Sequence, residues 1–205
     1  MRTEIEYYYK TTGKKIRKRS LAQRIKFHNL ARRIKKIDVG SEDWIELQRK
    51  LSLLSCSTFD CEMRELFYKH SCKSVGKDLC VMPDVIFKYA DKISIGDYVY
   101  FNYRCLVVAK ADITIGNHVL IGPNVIINSG MHNYKDKNKS IREQGHKSGE
   151  IVIEDDVWIG ANCIIMPGIT LGKGSVIGAN SFVNKDVEPY TVVAGSPIKI
   201  LSTRE

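Results

Sequence analysis

The sequence predicts a mainly β fold: a parallel β-helix of about five coils behind a small N-terminal helical module. Three observations predict it. From residue 75 onward an aliphatic or aromatic residue returns every six positions, often followed by glycine, with a small or branched residue four places later. These hexads group in threes, with coil starts at 75, 95 and 115 lying 20 apart and those at 153 and 171 lying 18 apart. Residues 1–74 lack the repeat and instead show apolar residues at three- and four-residue steps.

Residues 1–18 read as a polar, poorly ordered lead-in. From Ser20 to Ile37 the residues Leu21, Ile25, Phe27, Leu30, Ile34 and Ile37 trace one face of an amphipathic helix. Gly40 is expected to stop it, and Ser41 to cap a second helix running to about Leu54. A third helix is expected from Thr58 to His70. The inward positions of the repeat are then Val75, Val81, Phe87; Ile95, Phe101, Val107; Ile115, Ile121, Ile127; Ile153, Ile159, Ile165; and Leu171, Ile177, Val183. Their companions include Val99, Cys105, Val119, Val125, Val157, Cys163, Ile169, Ser175, Ser181 and Val187. A period of six is neither a helix's 3.6 nor an open sheet's alternation. It fits a triangular prism with one short strand per face, whose coils complete each other's core. Glycine and asparagine next to the corners, as in Ile95-Gly96-Asp97, Ile115-Gly116-Asn117 and Ile177-Gly178-Ala179-Asn180, are expected to permit the sharp turns. One break interrupts the array. Between Met131 and Ile153 the hexads vanish, and MHNYKDKNKSIREQGHKSGE (about 131–150) reads as a functional loop excursion.

The net charge of +9 is unevenly spread. Residues 1–36 hold 13 Lys/Arg against Glu4 and Glu6, a local +11, whereas 37–205 hold 19 against 21, a net −2. The basic helix is either a solvated face or a peripheral contact with anionic membrane lipid. No run of 18 apolar residues could span a membrane, and MRTEIEYYYK lacks a signal-peptide core. A cytoplasmic protein, at most peripheral to the inner membrane, is expected, without a nucleic-acid partner. The six cysteines form no C-x-x-C pair and read as free thiols, Cys105 and Cys163 filling small buried positions.

The run FNYRCLVVAKADITIGNHVLIGPNVIINSGMHNY, then VIEDDVWIGANCIIMPGITLGKGSVIGANSFVNKDVEPYTVVAGSPIKIL, resembles the hexapeptide-repeat acetyltransferases, in particular the maltose and galactoside O-acetyltransferases and those that acetylate polysaccharides. The VWIGAN block and the AGSP terminus are its specific signals, and it covers roughly 75–200. The resemblance implies a left-handed prism, a homotrimer with active sites between neighbouring prisms, acetyl-CoA as co-substrate without a metal, and a saccharide acceptor.

It also implies site residues. His132, at the end of the Ile127 hexad, matches the catalytic base, and an imidazole with pKa near ~6.5 is suited to taking a hydroxyl proton and returning it to the departing thiolate. Asn102 matches an acceptor contact, although a corner asparagine reads the same. Lys110 stands where relatives carry an acidic acceptor contact, which points to an acidic or otherwise different saccharide. His146 lies in the excursion as a further acceptor contact. On the donor side, Trp158 matches the residue beside the pantetheine arm, and Gly160, Ala161 and Ala179 match small residues that admit the CoA chain. Lys185 and Lys199 match basic residues near the nucleotide phosphates. Other readings keep the prism: N-acetylation of an amino sugar, serine acetylation, or a non-catalytic scaffold. A carbonic-anhydrase-type metal site would need three spaced His ligands, and His118, His132 and His146 lack that spacing.

Overall fold

The computed structural model describes residues 19–205, so the expected polar lead-in over 1–18 lies outside the described residues. Three helices come first. In α1 (Leu21–Ile34) the Ser20 side chain accepts from the Gln23 N–H while Gln23 caps Ser20 in return. The helix ends three residues before Ile37. Lys36 N–H bonds back to Arg33 O and Ile37 N–H to Ile34 O, a tightening over three residues that closes the last turn. Gly40 is therefore not the stop: at φ +87° it makes the turn into α2. Ser41 caps α2 (Glu42–Ser52) as expected, through Trp44 N–H. Ser57 caps α3 (Thr58–Ser71) through Asp60 N–H. No helix among the described residues is long and apolar enough to cross a membrane.

The repeat folds as expected, into five complete coils and the start of a sixth. They are β1 (Ser74–Val75), β2 (Cys80–Val81), β3 (Ile86–Lys88); β4 (Ile93–Ile95), β5 (Tyr100–Phe101), β6 (Leu106–Val108); and β7 (Ile113–Ile115), β8 (Leu120–Ile121), β9 (Ile126–Asn128). After a ribbon of β10 (Gly130–His132) and β11 (His146–Ser148) come β12 (Ile151–Ile153), β13 (Trp158–Ile159), β14 (Ile164–Ile165) and β15 (Thr170–Leu171), β16 (Val176–Ile177), β17 (Phe182–Val183). Val187 bridges Leu171 to begin the sixth coil, and β18 (Thr191–Ala194) follows, with β19 (Lys199–Thr203) reversing against it.

Parallel pairing builds three faces. Face A is β1-β4-β7-β12-β15, face B is β2-β5-β8-β13-β16-β18, and face C is β3-β6-β9-β14-β17. The expected inward residues from Val81 to Val183 are buried, as are the companions, while Val75 in the first strand is half-buried. The buried thiols of Cys105 and Cys163 point at carbonyls, Gly122 O and Gly178 O, each 3.1 Å away. Burial pushes the Cys105 thiol up to about 11. No cysteine is disulfide-bonded, in line with the free-thiol expectation.

Asparagine serves the corners as expected, at Asn180 for one, but the glycines after the inward residue do a different job. The left-handed residue at each corner is the one just before the companion, and it is rarely glycine: Tyr98, Arg104, His118, Asn124, Asp156, Asn162 and Asn180 all have φ near +60°. The glycines instead let coils stack without a side chain between them. A Cβ on Gly96 would lie 2.7 Å from the Gly116 backbone, and one on Gly160 would lie 2.6 Å from Ala179 N.

The helices close the N-terminal end of the prism. A string of rings runs from Trp44 through Phe67, Tyr68 and Phe87 to Phe101, with successive centroids 5.3, 5.3, 4.3 and 5.0 Å apart. Polar groups in this seam are satisfied. Gln48 Oε1 accepts from Phe87 N–H at 2.7 Å, and Arg64, 1% exposed, donates to Val81 O, Leu51 O, Leu54 O and Ser55 O. The Cys80 side chain, hydrogen-bonded to Cys61, and the nearby guanidinium of Arg64 lower the Cys61 thiol to about 7.

Candidate active site

The site grows from one corner of the prism, the turn from face C to face A. In the first two coils this turn carries the two extra residues that make the spacing 20: Phe87 to Ile95 and Val107 to Ile115 are steps of eight. After β9 the same corner opens into the expected excursion. Buried Ser129 anchors its root, accepting from Ala111 N–H at 2.9 Å, and Gly149 N–H returns to Ser129 O at 3.0 Å.

The excursion leaves as an antiparallel ribbon. Gly130 faces Ser148, Met131 faces Lys147 and His132 faces His146. The two imidazoles are cross-strand neighbours with centroids 4.1 Å apart, and both are exposed. Beyond them the loop is ordered by its own bonds. The Gln144 side chain accepts from Asp136 N–H and donates to Asp136 O and Lys139 O, and Asn133 holds Gln144 O. These residues enclose an open cavity of about 500 Å³ lined by Asn133, Tyr134, Lys135 and Lys147 among others.

Lys110 belongs to this corner one coil earlier. Its stem lies against Gly130, where a Cβ would come within 2.6 Å of Lys110 Cγ. Its ammonium donates to the Tyr89 hydroxyl at 2.6 Å and sits 4.4 Å from that ring's centroid. That bond, with the charge behind it, lowers the Tyr89 phenol from its ordinary value. His132, His146 and Lys110 are thus brought together. Tyr89 and Gly130 were missed in the sequence, although the 20-residue spacing marks the corner that holds them.

The remaining residues lie elsewhere. Trp158 projects from face B, 54% exposed, between Leu120 and Val176 of the flanking coils. Gly160 and Ala161 follow it at the turn from B to C, and Ala179 stacks above Gly160. The backbone ladder there pairs Gly160 N–H and Asn162 N–H but passes over those of Ala161 and Ala179. An exposed ring beside small residues and N–H groups without a backbone partner is a surface along which an amide-bearing chain can lie. Asn102 occupies the same B–C turn two coils below Gly160, with its Oδ1 on Tyr103 N–H, the corner role. Lys185 is exposed at the C–A turn of the fifth coil, and Lys199 is exposed on β19 opposite Ala194. Within one chain the donor-side stripe of Trp158, Gly160, Ala161 and Ala179 therefore lies along the opposite edge of face C from His132, whereas Lys185 shares the C–A edge with His132. Among the described residues no group of three or more His, Cys, Asp or Glu is placed to hold a metal ion.

Known proteins share this architecture. The family model described as bacterial transferase hexapeptide (six repeats) matches residues 150–185. The galactoside O-acetyltransferase of Escherichia coli (strain K12) is 38% identical over 147 residues, 69% of each chain. A hexapeptide-repeat-containing acetyltransferase of Vibrio cholerae, solved with acetyl-coenzyme A, is 36% identical with a TM-score of 0.68, covering 82% of this chain and 93% of that one. A galactoside acetyltransferase solved with coenzyme A is 33% identical with a TM-score of 0.69, over 85% of this chain and 90% of that one.

Proposed function

The chain belongs to the hexapeptide-repeat acetyltransferases, acyltransferases built on a left-handed β-helix, and on that premise we propose that it O-acetylates a saccharide hydroxyl, in a cell-surface polysaccharide or its precursor, with His132 as general base. Acetyl-CoA is the co-substrate. The observation that carries the reading is the ribbon: it presents His132, exposed, from a backbone fixed at its root by Ser129 and at its far end by Gln144.

Each group in this chain has a task. His132 takes the acceptor hydroxyl's proton as that oxygen attacks the thioester carbonyl, then returns it to the leaving thiolate. The Ala161 N–H, without a backbone partner, suits the negative charge that develops on the carbonyl oxygen. Trp158, Gly160 and Ala179 line the donor, and Lys185 and Lys199 supply positive charge for phosphates. Asn102 and His146 contact the acceptor in this reading.

The active unit is a homotrimer. His132 and the donor stripe sit on opposite edges of face C, so packing that face against a neighbour brings the base of one copy towards the stripe of the next. Composition supports it. The outward row on face C is Ile86, Leu106, Ile126, Ile164 and Phe182, whereas face A shows Ser74, Ser94, Thr114, Val152 and Thr170. The outward Leu21, Ile25, Arg24 and Arg32 of α1 support a peripheral contact with anionic lipid.

His132→Ala is expected to fold and assemble but to lose roughly 10²–10⁴ in turnover, read as thiol release from acetyl-CoA with acceptor present. Turnover near wild type in the purified variant would remove His132 from the chemistry.

A further inference from the structure

We propose that the acceptor is an anionic saccharide, a uronate or a sugar phosphate, whose charged group is held by Lys110 on the ribbon face that carries His132. The inference rests on the acetyltransferase reading and names the substrate class of that same site.

The geometry is set by strand alternation. Residues two apart on a strand point to the same face. Gly130 turns its missing side chain toward Lys110, so His132 projects from the same side of β10. Cross-strand pairing puts Ser148 and His146 on that side too. The face therefore holds two imidazoles, one hydroxyl and the Lys110 stem, and no carboxylate.

The cation is fixed in place. Lys110 is splinted between the bare backbone of Gly130 and the Tyr89 ring, with its ammonium on the phenol oxygen. Its own carbonyl accepts the Lys92 ammonium at 2.9 Å, which adds a second positive charge one coil below. Among the described residues neither lysine is paired with a carboxylate. Nearby charges are treated differently: Lys73 pairs with Asp112, two residues from Lys110, at 2.7 Å, and Lys139 pairs with Asp136. Two fixed cations without counter-ions beside a proton-accepting imidazole favour an acceptor that brings its own negative charge. Any side chain at position 130 would push Lys110 away, so the glycine makes room for this arrangement.

The test compares acceptors that share a ring and differ at one carbon, where an anionic group replaces a hydroxymethyl or hydroxyl; the phosphate pair keeps the C6 hydroxyl and the uronate pairs keep C1. Thiol release from acetyl-CoA is measured with the full-length protein on glucose against glucuronate, galactose against galacturonate, and glucose against glucose 1-phosphate. The acidic partner of at least one pair should have a kcat/KM about tenfold higher, the factor one charge-assisted hydrogen bond supplies, and the advantage should shrink with added salt. The uronate and phosphate arms tell the two anions apart. Lys110→Gln should erase the preference and Lys110→Glu should invert it, with KM for acetyl-CoA unchanged. A rise in KM for acetyl-CoA instead would assign Lys110 to the donor's phosphates and overturn the proposal. So would a neutral sugar used as well as its acidic twin. If no saccharide is acetylated, the O-acetyltransferase reading fails, and calorimetric titration of the same pairs still decides this one: equal binding of glucose and both anions rejects it.

Discussion

Arg64 donates to four carbonyls, three near the end of α2 and one on the first coil. A helix C-terminus leaves its last carbonyls unpaired, and a buried one costs about 1–3 kcal/mol. One guanidinium satisfies several at once and joins helix to prism. Arg64→Met, which keeps the stem but not the donors, should therefore lower stability by about 3 kcal/mol or more, read as a shifted denaturation midpoint. A loss below about 0.5 kcal/mol would show that water replaces the clamp. The sequence carries no sign of this role, because an arginine in an amphipathic helix reads as surface and its partners lie 10 and 17 residues away. His132 was legible for the opposite reason: it sits where a strict register stops, and the stop itself is visible.

At the level of elements, the coil spacing rests on bare backbone. Gly116→Ala would bring a Cβ to 2.5 Å from Asp155 Oδ1 and to 2.8 Å from Asp155 N and Glu154 C, and the backbone atoms cannot swing aside even if the carboxylate does. Prising the third and fourth coils apart should cost about 1–3 kcal/mol, read by thermal unfolding, while Gly40→Ala, with open space around it but at φ +87°, should act only through local strain. An undisturbed Gly116→Ala melting curve would mean the stack yields easily. Strands and inward residues were legible because every hexad repeats one environment. The ribbon was not. Its pairing of His132 with His146 joins residues 14 apart through a polar stretch with no period, and only the loop's own hydrogen bonds select that register. The left-handed corners were hidden as well, since stacked neighbours hold Tyr98 over His118, rings 4.9 Å apart, in a conformation neither residue would choose alone.

For the whole molecule, the apolar outward row of face C stands against the polar row of face A. Ile126→Glu with Ile164→Glu places two carboxylates in the middle of the apolar row on face C. Sedimentation should then show monomers that retain their helical and strand signal, and turnover should collapse although His132 is untouched. A wild-type protein that sediments as an active monomer would refute the shared site. The ends of the prism matter in another way. A column of parallel strands is a template that could lengthen indefinitely, since the last rung always offers free N–H and C=O groups. Here one end is plugged by the aromatic string and the three helices, and at the other β19 runs backwards along β18, presenting a strand of the wrong polarity to a newcomer. The helical module is thus also a chain terminator. Removing it would leave Phe87 and the edges of β1, β2 and β3 bare, and such a truncated protein would grow end to end into filaments rather than merely lose stability.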